Sequence, residues 1–190
     1  MSRLTTALLA VMLTALLALG TTINVPGDYP TIQAGINASN DGDTVLVASG
    51  TYTGTGNKNL DFGGRAIVVM SENGPDNCTI DCQSSGRGAY FHSGETTSSV
   101  LQGFTIKNGS NSNGGGINIT NSSPTIKHCI IYNNSSSGSY GGGIYVSNGS
   151  PDIIHCTVVQ NNARYGGAIY ATVSNMTVNS CIVDNNTASG

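Results

Sequence analysis

Gly114-Gly115-Gly116-Ile117, Gly141-Gly142-Gly143-Ile144 and Gly166-Gly167-Ala168-Ile169 repeat one phrase, and twelve residues after each isoleucine stands a cysteine: Cys129, Cys156 and Cys181. Five residues beyond each cysteine comes an asparagine, Asn134, Asn161 or Asn186. A repeat in the mid-twenties made of short β-branched runs is the signature of a solenoid that coils strands on top of one another. The count from isoleucine to cysteine never varies, whereas Asn134 to Gly141 spans seven positions and Asn161 to Gly166 five. Length variation is therefore confined to one loop per turn.

Within the constant stretch the aliphatic columns are Ile117/Ile144/Ile169, Ile119/Val146/Ala171, Ile126/Ile153/Val178 and Ile131/Val158/Val183. They alternate with period two, interrupted by phase changes that read as corners. The spacing predicts three short strands per turn, each turn about 4.8 Å above the last. Pro124, Pro151 and Met176 share a column before a strand, where proline removes no needed ladder donor. Asn134, Asn161 and Asn186 fall at a bend, and inward amides there are expected to form a structural ladder. Cys129, Cys156 and Cys181 read as an inward stack of small hydrophobes, spaced closely enough for one bridge between neighbouring turns. Cys78 and Cys82 would stand roughly 13 Å apart on an extended strand, too far to bridge unless the segment loops.

The glycine pair with Gly/Ala-Ile, followed by aliphatic-x-x-Asn (Ile131 to Asn134, Val158 to Asn161, Val183 to Asn186), resembles the right-handed parallel β-helix repeats of the pectate-lyase-like superfamily. It is especially similar to repeats of polymorphic outer-membrane proteins, whose hallmark is GGA-I/L/V with Phe-x-x-Asn; here aliphatics replace the Phe. An earlier copy stands at Gly88-Ala89-Tyr90-Phe91 and Gly103-Phe104-Thr105-Ile106. The fold expected is all-β, a right-handed parallel β-helix with a short N-terminal capping helix.

Residues 1–20 read as a signal peptide: Arg3, then an apolar run from Ala7 to Leu19 too short to span a bilayer, then small residues ending at Gly20. This predicts an extracellular or cell-surface location, the outer membrane included. Residues 21–60 read as the cap of the solenoid. Thr31 can cap a helix that places Ile32 and Ile36 on one face, and Asp41-Gly42-Asp43 turns the chain into the strand Thr44 to Ala48. The stretch from Val25-Pro26 to Gly50-Thr51-Tyr52 is similar to the start of pectinesterase-like β-helix proteins. Residues 61–190 are assigned to the repeats. Thr187-Ala188-Ser189-Gly190 stand where a fourth glycine corner would begin, so a C-terminal continuation or another chain is expected to cover the open end.

Only 9% of residues are charged and the net charge is −3, so there is no basic patch for nucleic acid. His128 and His155 each precede a column cysteine, but strand alternation points them away from the thiols, and no metal site or cofactor is expected. From residue 101 onward the only titratable acids, bases and histidines are Lys107, Lys127, His128, Asp152, His155, Arg164 and Asp184, and the two aspartates lie in different columns. No paired-carboxylate site can be assembled from them. Gly50-Thr51-Tyr52-Thr53-Gly54 resembles the first pectinesterase motif without its Glu, and that family's Trp-containing motif has no counterpart in a chain without Trp. No catalytic residue is assigned.

Binding is the remaining function class. Tyr145 and Tyr170 share one column and Tyr140 and Tyr165 another, flanking the glycine corner beside the variable loop. Outward tyrosines offer apolar rings and hydroxyl tips to a sugar. The expectation is a non-catalytic secreted or surface module for adhesion or glycan binding, with a polysaccharide or a host or cell-surface protein as partner. The alternative is the front of a polysaccharide-active enzyme, pectate-lyase-like or pectinesterase-like, with its site beyond residue 190.

Overall fold

The computed structural model describes residues 20–190; the leader read over residues 1–20 lies outside that range except for Gly20. Nearly every strand pairs in parallel with its counterpart one coil away, giving four sheets that run the length of a solenoid. The first sheet holds Thr22–Val25, Thr44–Val47, Val68–Ser71, Val100–Gln102, Thr125–Lys127, Asp152–Ile154 and Thr177–Asn179. The second holds Gly50–Tyr52, Cys78–Asp81, Thr105–Lys107, Ile130–Tyr132, Thr157–Val159 and Ile182–Asp184. The third holds Leu60–Asp61, Ala89–Phe91, Ile117–Thr120, Ile144–Ser147 and Ile169–Thr172. The register keeps the columns read from the sequence, with Ile117 opposite Ile144 and Ile144 opposite Ile169.

A fourth sheet corrects the expectation of three strands per turn. Ser110–Asn113, Ser135–Tyr140, Asn162–Ala163 and Thr187–Ala188 pair with one another between the second and third sheets. Most of this sheet occupies the stretch assigned to a variable loop. Its residues are mainly Ser and Asn and have little strand propensity of their own, so backbone pairing with the coils on either side creates these strands.

The corners share one solution. Gly114, Gly141 and Gly166 all have φ of +65°, in the left-handed region. So do Asn121, Asn148 and Val173 (53°, 53° and 50°) at the next corner, and His128, His155 and Ser180 (53°, 51° and 53°) at the one after. Asn108, Asn133, Gln160 and Asn185 complete the set at 56°, 54°, 55° and 51°. Each of the three repeat coils therefore turns four times through a single left-handed residue, which Gly and Asn adopt at least cost. Beside the first corner, a Cβ on Gly116 would stand 2.6 Å from the Gly143 carbonyl oxygen, and one on Gly143 would stand 2.6 Å from that of Ala168. The glycines let successive coils close to strand spacing.

Inside, Phe62, Phe91 and Phe104 fill the early coils, the first two with ring centroids 4.7 Å apart, and Ile, Val and Cys fill the later ones. The helix Ile32–Ala38 covers the N-terminal end, with the Thr31 side chain accepting from the Ala34 amide at 3.2 Å and both Ile32 and Ile36 buried. Gly35 lets it settle on the sheet, since a Cβ there would meet Val25 and Val45 at 3.0 Å. Strands Thr44–Val47, Gly50–Tyr52 and Leu60–Asp61 already join the first, second and third sheets, so the first coil is wound within the 21–60 segment. No helix among the described residues is long and apolar enough to cross a membrane.

One buried carboxylate ties the loops together. Glu95, 2% exposed, accepts from the Gly64 amide (2.9 Å), the Ser93 amide (2.9 Å) and the Ser122 hydroxyl (2.8 Å), which brings three successive coils to one group. Burial raises its pKa, but these hydrogen bonds outweigh burial and hold it below the ordinary glutamate range.

A folded-state pKa below the unfolded value near 4.3 means that Glu95 contributes stability above about pH 4.3 and loses it as pH falls through the folded value. Glu95→Gln should flatten the acid limb of a stability-against-pH curve from urea melts, leaving a less stable protein at neutral pH by about 1–3 kcal/mol. Val173, a β-branched residue 77% exposed in a left-handed corner, is a strained member of a column otherwise held by asparagine. Val173→Asn should stabilise the last coil by about 1 kcal/mol, read as roughly fivefold slower amide exchange there.

Candidate functional site

The four tyrosines predicted to bind lie on two columns that the glycine corner folds together. Tyr145 and Tyr170 are register partners on the third sheet, and their rings stack at 5.9 Å with planes 1° apart. Tyr140 and Tyr165 are bridged one coil apart and stack at 5.4 Å. Tyr140 also tilts against Tyr170 at 4.5 Å, so the two pairs form one continuous cluster. Tyr165 is 37% exposed and the other three are half-buried. Stacking between coils turns much of each ring face onto a neighbour, which leaves ring edges and phenol tips for a ligand. The Arg164 guanidinium lies over the outer ring, Tyr165, at 5.1 Å.

The third sheet extends this surface to residues the sequence reading missed. Tyr90 is the register partner of Asn118, which pairs with Tyr145, so Tyr90 belongs to the same outward column. Its neighbour on the other side is Asp61. The imidazole of His92 stacks on Tyr90 at 4.0 Å and approaches Asp61 Oδ2 with Nε2 at 3.3 Å. Arg87 lies over the Tyr90 ring at 4.7 Å and donates to Asn111 Oδ1 at 2.6 Å. Asn118 interrupts the aromatic column: its amide donates to the Asn113 carbonyl at 3.1 Å and accepts from Thr120 Oγ1 at 2.9 Å. The signal that could have found Tyr90 is the phrase Gly88-Ala89-Tyr90-Phe91, which aligns without a gap on Gly143-Ile144-Tyr145-Val146.

The family model for the right-handed β-helix region matches residues 66–190, which contain all four tyrosines and every glycine corner. The chain belongs to the right-handed β-helix family. No curated protein and no solved structure matches it.

The inward columns of this right-handed β-helix serve its own interior. Asn134 Oδ1 accepts from the Gly109 amide at 2.8 Å, Asn161 Oδ1 accepts the Asn134 amide and side chain at 3.0 Å each, and Asn186 Oδ1 takes the same two bonds from Asn161 at 2.9 Å each. The spacings are 25, 27 and 25 residues, one coil each. The thiols of Cys129, Cys156 and Cys181 donate to the carbonyls of Lys127, Ile154 and Asn179 at 3.3, 3.4 and 3.3 Å. All five cysteines are free, and only Cys181 is less than fully buried. His128 and His155 stack outside at 5.1 Å. Among the described residues no three His, Cys, Asp or Glu side chains converge as metal ligands.

Burial pushes the Cys78 and Cys82 thiols up to about 12, and the neighbouring Cys129 thiol, then burial, raises Cys156, so these groups stay protonated; Cys129, which the same neighbour lowers, is 1% exposed and shielded from reagents. Iodoacetamide at pH 8 should label the native protein only at Cys181, and label all five cysteines in guanidinium, as read by intact mass. Early labelling of Cys78 or Cys82, or a mass two hydrogens light without reductant, would contradict this arrangement.

Proposed function

We propose that this β-helix is a non-catalytic, secreted or surface-displayed module that holds a glycan at its tyrosine corner. The observation that carries the reading is the convergence of Tyr140, Tyr145, Tyr165 and Tyr170 into one cluster on the outer surface. Their hydroxyls have no hydrogen-bond partner among the described residues, so ring edges and phenol tips are free for sugar hydroxyls and C–H faces. The Arg164 guanidinium stacks on the cluster and, among the described residues, pairs with no carboxylate acting as base or nucleophile. The apolar run before Gly20 and the 9% charge content support a location outside the cytoplasm.

A second reading, a polysaccharide-active enzyme, draws on one observation: His92 and Asp61 meet at 3.3 Å beside Tyr90, the elements of a proton-transfer site. No second carboxylate faces that pair on the third sheet, and the binding reading uses more of the conspicuous surface.

On a glycan array the wild-type chain should bind, and Tyr145→Ala/Tyr170→Ala should weaken binding at least tenfold, about 1.4 kcal/mol, with the β-sheet circular dichroism retained. Product assays on the same polysaccharides should stay blank for wild type and for His92→Ala. Product that disappears in His92→Ala would establish the enzyme reading instead.

A further inference from the structure

Two neighbouring columns of carboxamides have opposite fates in this structure. Asn134, Asn161 and Asn186 face inward and spend their amides on the coil-to-coil ladder. One residue earlier, at the left-handed corner, Asn133 and Gln160 face solvent. Asn133 donates to Asn108 Oδ1 at 2.7 Å, but the side chains of Gln160 and Asn162 and the hydroxyls of Ser110 and Ser135 have no hydrogen-bond partner among the described residues. These groups line a half-open groove of about 220 Å³ where the second sheet turns into the fourth. None of its lining residues is charged.

We propose that this groove is a second subsite for the same ligand, and that the ligand is a neutral polysaccharide running across the fourth sheet from the amide groove to the tyrosine cluster. The inference rests on the glycan-binding reading and adds the ligand's class and path. The strand Ser135–Tyr140 begins in the groove and ends in the cluster, and its ends pair with Ser110 and Asn113 across a bulge, so the subsites stand roughly 10 Å apart, the length of a four-residue strand. Volume limits the groove to a small part of the ligand, because it falls below the roughly 300 Å³ at which pockets for whole small molecules begin. Amides and hydroxyls offer donors and acceptors side by side, which suits the vicinal hydroxyls of a sugar ring. A chain carrying a carboxylate on every ring would bury charge in a groove without a cation to meet it. The aromatic end supplies the apolar contact and the amide end supplies orientation.

The test is calorimetric titration of the full chain with neutral gluco-, manno- and xylo-oligosaccharides of increasing length, with polygalacturonate as the charged arm. The groove variant is Gln160→Gly/Asn162→Ala, in which glycine keeps the left-handed corner. Ser110→Ala/Ser135→Ala is a second variant that touches no corner and keeps the question answerable if the first unfolds. The expected result is at least tenfold weaker binding of the longest neutral oligosaccharide in either groove variant, with binding of the shortest bound oligomer unchanged. Tyr145→Ala/Tyr170→Ala should weaken both. If the groove variants bind every length as wild type does while the tyrosine variant does not, the subsite is overturned and the tyrosine reading stands. Tighter binding of polygalacturonate than of any neutral chain overturns the neutral class. Absence of binding by wild type to every probe overturns both readings.

Discussion

Each coil must return to its starting point displaced by one strand spacing, and everything else in this protein depends on that closure. A closed path of about 25 residues with flat sides has to concentrate its turning in a few positions, and here it does so in single left-handed residues. Once those corners are fixed, the aliphatic columns stack without adjustment and the backbone ladders run unbroken along the flat sides. The glycines beside the first corner serve the same end, since a Cβ there would push coils beyond hydrogen-bonding distance. Hydrophobic burial supplies the driving force, but corner geometry makes the burial repeat.

The asparagine ladder follows from this closure. A tight corner leaves buried amides and carbonyls without strand partners, and each unsatisfied group would cost about 1–3 kcal/mol. Asn134 answers that need with one side chain by accepting from Gly109 while donating to the Ile106 carbonyl. The next coil repeats it, so the ladder couples neighbouring coils and makes the stability of each coil depend on the one beside it. The cysteines occupy a comparable position: Phe104 fills in one coil the place that Cys129 fills in the next, so the column tolerates large changes of volume so long as the side chain is apolar.

The later coils were legible because their spacing is constant. Ile117, Ile144 and Ile169, the tyrosine columns and the inward asparagines could be aligned by counting, and Thr31 with Ile32 and Ile36 marked the capping helix. Three features left no such trace. The fourth sheet is written mainly in Ser and Asn, and its strands exist because neighbouring coils pair, which no local propensity records. The left-handed state of His128, His155 and Ser180 was hidden because none of these types demands it; only the Gly and Asn corners announce themselves. Glu95 and the Asp61–His92 contact come from the earlier coils, where unequal loop lengths break the count and three-dimensional proximity replaces sequence period, even though the phrase around Tyr90 still aligns.

That contrast also says where a β-helix can carry function. Inward positions are fixed by packing and corners by backbone conformation, so chemistry is free to vary only on outward side chains and where a coil can change length without disturbing its neighbours. The fourth sheet meets both conditions. Its strand Ser135–Tyr140 is longer than Asn162–Ala163, yet Tyr140 and Tyr165 still meet across the coils and the other three sheets keep register. Extra residues are absorbed between the corner of outward amides and the corner of glycines. The polar and aromatic surfaces at either edge of that segment therefore keep a fixed spacing while the bulge between them changes length, so insertion alters what stands between the two edges and leaves the edges themselves in register along the coils.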